Sequence, residues 1–335
     1  MRAAVYQQYG SPDVVQIKEL PKPEPRNKEV LIRIKASTVS SADWRARSLT
    51  MPAGFHIIGR PVFGLFGPRK PILGTEFAGV IEAVGHAVSK YKIGDAVFGF
   101  PGFDLGCHAE YRIMPEDGRL THMPQGMSFA EAASISFGGT TALYYLRDLA
   151  KIQPGEELLI IGASGTVGSA AVQIAKHFGA KVSAVTSTAN LERVSKLGAD
   201  HVIDYSKTQY LDSGAQYDVL FDTVGVGSYS SCRAALKEKG RLLLAAGSVP
   251  QILSSFWKAR GSNRQVFAGS ARERVEDLIF LKELVEKNRY RPLIDRLYPL
   301  ESIAEAHAYV ETGRKRGSVV ITMDGAMQQS FETRA

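Results

Sequence analysis

Leu158–Ala180 reads LLIIGASGTVGSAAVQIAKHFGA. Its apolar start, Leu158–Ile161, has the length and composition of a buried strand. The glycine-punctuated stretch Gly162-Ala-Ser-Gly165-Thr-Val-Gly168 follows. A helical pattern then runs through Val172, Ile174, Ala175 and Phe178. Strand, glycine turn and helix in that order make a phosphate-binding crossover. Gly162 allows the tight turn, Gly165 lets a pyrophosphate approach the backbone, and Gly168 lets helix and strand pack closely. Unpaired N–H groups at the helix start, aided by the helix dipole, face the phosphates. The spacing GxxGxxG departs from the commoner GxGxxG, because Ala163 fills the second place. A tight turn without a ligand is the competing reading, and the flanking strand and helix count against it.

Working outward, the chain has room for two cores at 335 residues. Its net charge of +7 comes from 41 basic and 34 acidic residues, dispersed except for Arg314-Lys315-Arg316. That balance suits a polyanionic cofactor and gives no basic stripe for nucleic acid. The two cysteines, Cys107 and Cys232, form no disulfide framework and fit a reducing compartment. The start MRAAVYQQYG lacks the apolar core of a secretory signal, and no uninterrupted apolar run reaches the roughly 18 residues of a membrane span. A cytoplasmic protein without stable membrane insertion is expected.

Residues before about 125 read as short β-rich runs separated by Gly and Pro: Ala3–Tyr6, Val14–Lys18, Glu29–Ala36, Phe77–Val84, Ala96–Phe100 and Ala109–Met114. They suggest a barrel-like unit. The rhythm changes at Ser128, where Ser128 and Glu131 form a capping box before a helix. Strands and helices then alternate as in a parallel sheet: Leu158–Ile161, Val167–Phe178, Lys181–Val185, Leu191–Leu197, His201–Ile203, Val219–Asp222, Tyr229–Leu236, Arg241–Ala246 and Gln265–Ala268. An amphipathic helix over Arg274–Glu286, a helix over Ile303–Val310 and a strand over Ser318–Thr322 complete the pattern. Gln328–Ala335 is polar and expected to fray. The segment Met51–Leu73 is apolar yet rich in Gly and Pro, which argues against a regular helix. It is open to three readings: a packed loop, a lid over a substrate cleft, or a membrane-touching patch with Arg60, Arg69 and Lys70 beside its aromatics.

Two further stretches carry a resemblance. Gly74-Thr-Glu-Phe-Ala-Gly79-Val-Ile-Glu-Ala-Val-Gly85 precedes Gly94-Asp95-Ala-Val-Phe-Gly99, and Ile135-Ser-Phe-Gly-Gly-Thr-Thr-Ala-Leu143 precedes the glycine turn. With Leu197-Gly-Ala-Asp200 they make the chain resemble the medium-chain dehydrogenase/reductase superfamily, and within it the zinc-independent quinone oxidoreductase branch. The resemblance spans almost the whole chain. It implies an α/β protein with a GroES-like catalytic domain over 1–126 and a doubly wound Rossmann domain over 127–268. A segment over 269–335 returns to the catalytic domain, the active-site cleft lies between the two units, and a homodimer forms through the sheet edge near Arg241–Ala246. At the positions where zinc relatives carry ligands stand Ser40, Thr75 and the neighbourhood of Phe137-Gly138. None suits tetrahedral zinc, so no metal is expected. Glu76 remains as a polar anchor.

An acid about 20 residues past the glycine turn marks an NAD site. Here Thr186, Ser187 and Thr188 occupy the strand end, with Asn190, Arg193 and Lys196 following. Hydroxyls and cations favour a 2′-phosphate, so NADPH is expected. Contacts are assigned at the carboxyl ends of the strands: Gly162, Ser164, Gly165, Thr166 and Val167 at the phosphates; Ser187, Asn190 and Arg193 at the 2′-phosphate; and Val224, Gly247 and Ser248 at the later strand ends. By the resemblance Tyr205 flanks the adenine and Thr141 lies against the nicotinamide. Arg316 reaches the phosphates or is a solvated charge, and Asp222 is a structural strand-end acid. Without a Lewis acid, activated acceptors are the better substrates. Small hydrophobic quinones or enones are expected, with Ser40, Ser41, Arg45 and Thr75 as hydrogen-bond donors to the carbonyl. Asp43 either orients a partner or caps a turn. The rival readings are a zinc-type alcohol dehydrogenase and an NADPH-binding regulatory protein without turnover.

Overall fold

The computed structural model describes residues 1–324. The tail expected to fray, Gln328–Ala335, lies outside them. Two sheets organise the chain. The first is six-stranded and wholly parallel, in the order His201–Asp204, Lys181–Thr186, Glu157–Ile161, Tyr217–Asp222, Leu236–Leu244, Gln265–Ala268. Leu158, Leu159, Ile160 and Leu220 are fully buried, as strands covered on both faces require. The chain steps outward from Glu157–Ile161 to His201–Asp204, then returns to the other side at Tyr217–Asp222. The strand order therefore reverses beside Gly162–Val167, where doubly wound sheets bind their ligands.

The second sheet has seven strands. Ile294–Pro299, Ser318–Thr322, Glu29–Val39, Phe77–Val84, Ala96–Gly99 and Leu120–His122 follow one another, and Tyr111–Pro115 also pairs with Glu29–Val39. All pairs are antiparallel except Ile294–Pro299 with Ser318–Thr322. The chain after the parallel sheet thus supplies two strands to the first unit's sheet. This is the GroES-like plus Rossmann α/β architecture. The expected helix at Ser128 is capped as read, by reciprocal bonds between Ser128 and Glu131. Both cysteines are free and buried.

Four readings are corrected. The element expected over Tyr229–Leu236 is a short helix, Tyr229–Cys232, plus a 3-10 turn, Arg233–Ala235, and Leu236 already begins the next strand. That strand ends at Leu244 and is interior, since Arg241–Leu244 pairs with Gln265–Ala268 on its far side. The edges of this sheet are therefore His201–Asp204 and Gln265–Ala268. Met51–Leu73 does contain a helix, His56–Phe63, with Pro61 inside it. Proline there forgoes one backbone bond, and Gly64 closes the end through its N–H to Arg60 O at 2.8 Å. A helix over Val249–Ala259 was not foreseen, although Ser248 and Gln251 form its capping box and Pro250 sits in its first turn.

Gly168 holds the glycine turn against its helix. A Cβ there would lie 2.1 Å from Gly162 O. Gly168→Ala must push the turn away from the helix, so it is expected to destabilise the protein by about 1–3 kcal/mol. Urea unfolding measures the loss. Titration of the folded variant with a nicotinamide dinucleotide is expected to show weaker binding as well.

Candidate active site

The glycine turn has the geometry its spacing implies. Gly162 sits at φ +85°, and a Cβ there would meet Val224 Cγ1 at 2.4 Å. Gly165 donates to Gly162 O at 3.0 Å. The helix Thr166–His177 begins after Gly165 with no side-chain cap and no acid in its first turn. Its first amides are therefore left for an anion, which is the fit a pyrophosphate needs. Ser164 and Val167 are half-buried at this turn.

Thr166 is engaged from another direction. Its hydroxyl donates to Gly317 O at 2.9 Å and accepts from Lys315 Nζ at 2.5 Å. Loss of solvation pushes the Lys315 ammonium down to about 8, and the Glu76 carboxylate opposes that shift. Within the basic run it is thus Lys315 that turns inward. Arg316 is exposed, and its backbone N–H donates to Asp295 Oδ2 at 2.7 Å.

The other strand ends line up beside the turn. Asp222 is fully buried and accepts from the N–H groups of Val224 and Gly225 at 2.9 Å each and of Gly227 at 2.5 Å. It is a structural acid that shapes the loop. Val224 and Tyr205 remain more than half exposed, at 53% and 58%, and so are free to face a flat ring. Gly247 takes φ +142°, and Ser248 caps Val249–Ala259. Thr141 is half-buried and donates to Phe137 O at 2.7 Å along its own helix.

Past the second strand, Asn190 donates from Nδ2 to Ser187 Oγ at 2.9 Å, while Arg193 donates from Nη2 to Ile294 O at 2.6 Å. Lys196 pairs with Glu192 at 2.7 Å. Sequence reasoning missed Asp204 here. This acid ends the neighbouring strand and accepts from the Thr188 hydroxyl at 2.6 Å and the Ser206 hydroxyl at 2.7 Å. Those hydroxyls lead the causes that hold its carboxyl below the ordinary value.

The opposite unit supplies a second group of side chains. Ser40 caps the helix Ser41–Ser48 in a capping box with Asp43. Its hydroxyl donates to Asp43 Oδ2 at 2.6 Å, and Asp43 Oδ1 accepts from the Gly74 N–H at 2.8 Å. The capping role of Asp43 is therefore the one observed. Immediately after Gly74, the Thr75 hydroxyl is buried with no hydrogen-bond partner among the described residues. Arg45 Nε and Trp44 Nε1 are buried in the same unpartnered state. Burial lowers the Arg45 pKa, and its guanidinium carbon lies 5.8 Å from the Trp44 ring centroid.

Glu76 follows Thr75. Its carboxylate accepts from the Thr38 hydroxyl at 2.5 Å and from the Phe137 N–H at 2.7 Å. Burial pushes its carboxyl up to about 7, against those two hydrogen bonds. Among the described residues, no three His, Cys, Asp or Glu side chains are grouped to hold a metal ion.

A doubly wound parallel sheet with an uncapped glycine turn at its switch point, joined to a β-rich unit with desolvated donors, defines a dinucleotide-dependent oxidoreductase of two units. Residues 26–125 match the alcohol dehydrogenase GroES-like domain family, and residues 197–321 match the zinc-binding dehydrogenase family. The chain is 32% identical to 2-methylene-furan-3-one reductase of Solanum lycopersicum, over 96% of this chain and 79% of that protein. It is 31% identical to the chloroplastic NADPH-dependent alkenal/one oxidoreductase of Arabidopsis thaliana, with the same coverage. Among solved structures, the quinone oxidoreductase of Coxiella burnetii superposes with a TM-score of 0.84 at 29% identity, covering 97% of this chain and 99% of that one. The chain belongs to the medium-chain dehydrogenase/reductase superfamily, whose quinone oxidoreductases use a nicotinamide cofactor. It is an oxidoreductase.

Glu76 gives the site a pH signature. Its native carboxyl holds a proton up to about 7, against an ordinary 4.5. The native state therefore binds more protons than the unfolded chain in that window, and stability falls as pH rises through it. Glu76→Gln removes the titration. Urea unfolding at the two ends of the window is expected to show wild type losing on the order of 3 kcal/mol relative to the variant. Parallel pH dependence of the two proteins counts against a raised Glu76.

Proposed function

We propose that the protein transfers a hydride from NADPH to quinones or α,β-unsaturated carbonyl compounds without a metal ion. The observation that carries this reading is the buried, unpartnered hydroxyl of Thr75, which by the resemblance stands where zinc relatives carry a ligand. A desolvated hydroxyl of this kind can donate to a substrate oxygen, and it is not among the thiolate, imidazole and carboxylate ligands that tetrahedral zinc takes. When bound, the nicotinamide supplies the hydride. The residues of this chain hold and orient. Gly162, Ser164, Gly165, Thr166 and Val167 hold the pyrophosphate, with Arg316 beside it. Ser187, Asn190 and Arg193 take the 2′-phosphate, Tyr205 and Val224 flank the adenine, and Thr141, Gly247 and Ser248 border the nicotinamide end.

Thr75 donates to the carbonyl oxygen as charge develops on it, and Arg45 adds its unpartnered Nε. Ser40 can contribute only by releasing Asp43. Solvent supplies the remaining proton. The names of the tomato and Arabidopsis relatives, a furanone reductase and an alkenal/one reductase, support the acceptor class. A cytoplasmic location and a homodimer joined at Gln265–Ala268 belong to the same reading.

Assays of quinones, alkenals and simple alcohols with NADPH and NADH test it, before and after chelator treatment. Turnover of quinones or alkenals with NADPH, unchanged by chelator, is expected. Turnover of alcohols alone with about one zinc per chain points to a zinc dehydrogenase. Tight NADPH binding with no turnover points to a regulatory role. Thr75→Val is expected to lower kcat/KM about 10- to 100-fold and to leave stability nearly unchanged, because no protein partner loses a bond. Ser187→Asp places an acid at the ribose. It is expected to move the ratio of kcat/KM values toward NADH by at least about tenfold, read from kinetics with both cofactors.

A further inference from the structure

Two segments from different units touch at their roots and carry exposed apolar side chains, together termed the ledge. On the helix Val249–Ala259, Leu253, Phe256 and Trp257 lie at helical spacing on one face. They are 61%, 42% and 70% exposed, while Ser255 and Ala259 face the core. From the other unit, Leu65 is 53% exposed and Phe66 is fully exposed. Val249 N–H donates to Ala53 O at 2.9 Å, and a Cβ on Gly54 would lie 2.5 Å from Val249 Cβ.

The charge on both is of one sign. Met51–Leu73 contains no Asp or Glu and carries Arg60, Arg69 and Lys70. Ala245–Arg272 likewise has no acid and carries Lys258, Arg260, Arg264 and Arg272, of which Arg264 is bonded to the backbone carbonyls of Leu236 and Lys237. Arg260 lies over the Trp257 ring, 5.0 Å from its centroid. Lys70 is paired with Asp104 at 2.9 Å and adds no net charge, which leaves Arg60, Arg69, Lys258 and Arg260 as the cations of the ledge.

We propose that this ledge docks on an anionic lipid surface. Exposed aromatics ringed by cations match the boundary between acyl chains and headgroups, where rings insert and cations meet lipid phosphates. The homodimer contact proposed at Gln265–Ala268 uses the strand edge, whereas a second copy seated on the helix face fits less well, because a two-fold contact turns that patch on itself and sets cation against cation. No described helix is long and apolar enough to cross a membrane, so the contact is peripheral. The ledge begins at Val249, directly after Gly247 and Ser248, and so it borders the proposed nicotinamide end.

The test uses the full chain and vesicles of phosphatidylcholine with or without about 30% phosphatidylglycerol, separated by sedimentation. Wild type is expected to sediment with the anionic vesicles and to be released by high salt. Trp257 is one of two tryptophans, the other being Trp44, and its emission is expected to shift to the blue on binding. Combined Phe66→Ser, Phe256→Ser and Trp257→Ser is expected to lower the bound fraction about tenfold. Arg60→Gln with Arg260→Gln, which spares the apolar face, is expected to abolish the preference for anionic vesicles. Circular dichroism and thermal unfolding check that each variant is folded. Absence of sedimentation overturns the proposal, as does equal binding by wild type and the folded variants. A blue shift that follows protein concentration without vesicles assigns the ledge to a second copy and overturns it as well.

Discussion

The carboxylate of Glu76 is the joint on which the two units turn. It is fully enclosed, and it is bonded on one side to Thr38 of the central antiparallel strand and on the other to the first-turn amide of Phe137. A carboxyl group taken out of water costs free energy unless its oxygens are hydrogen-bonded, so both bonds are needed to keep it there. The amide of Phe137 has no intrahelical acceptor, and the carboxylate fills that need while matching the positive end of the helix. The helix Ser136–Leu143 then rests on the nucleotide-side helix at Gly138, where a Cβ would lie 2.5 Å from Thr166 O. One side chain therefore sets how the cleft wall sits against the glycine turn.

The same enclosure explains the character of the cleft. Ser40 and Asp43 satisfy each other and hold Gly74, so both side chains are committed to a helix cap. Left buried without a hydrogen-bond partner among the described residues are the Thr75 hydroxyl, the Arg45 Nε and the Trp44 Nε1. Donors left without water interact strongly with charge that appears nearby, and they need no rearrangement to do so.

Much of this was legible in the residues. The strand, glycine turn and helix at Leu158–Ala180, the capping box at Ser128 and the strand-end acid Asp222 are local patterns, and local patterns survive folding. Misreadings arose where distant parts of the chain decide. Lys315 looks like one member of a solvated basic run until Thr166 and Gly317 draw it inward. Asp204 ends the neighbouring strand, and only the parallel register with Lys181–Thr186 brings its carboxylate to Thr188. The interior place of Arg241–Leu244 depends on which strand pairs last, and no periodicity encodes that. The helix Val249–Ala259 is a different case, since its capping box and first-turn proline were readable from the residues alone.

The place of Ser318–Thr322 has a consequence for how the chain is made. This late strand is sandwiched between Ile294–Pro299 and the early strand Glu29–Val39, with Val39 opposite Val319. During synthesis the parallel sheet, built from the contiguous stretch Glu157–Ala268, can complete as soon as it leaves the ribosome. The early unit cannot. Glu29–Val39 emerges among the first residues, and although Tyr111–Pro115 covers Glu29–Arg33, the edge over Ala36–Val39 must wait unpaired until almost the last described residue has been added. The nascent protein thus passes through a stage with a finished nucleotide-binding half and an open sheet, and that edge is what a chaperone has most reason to cover.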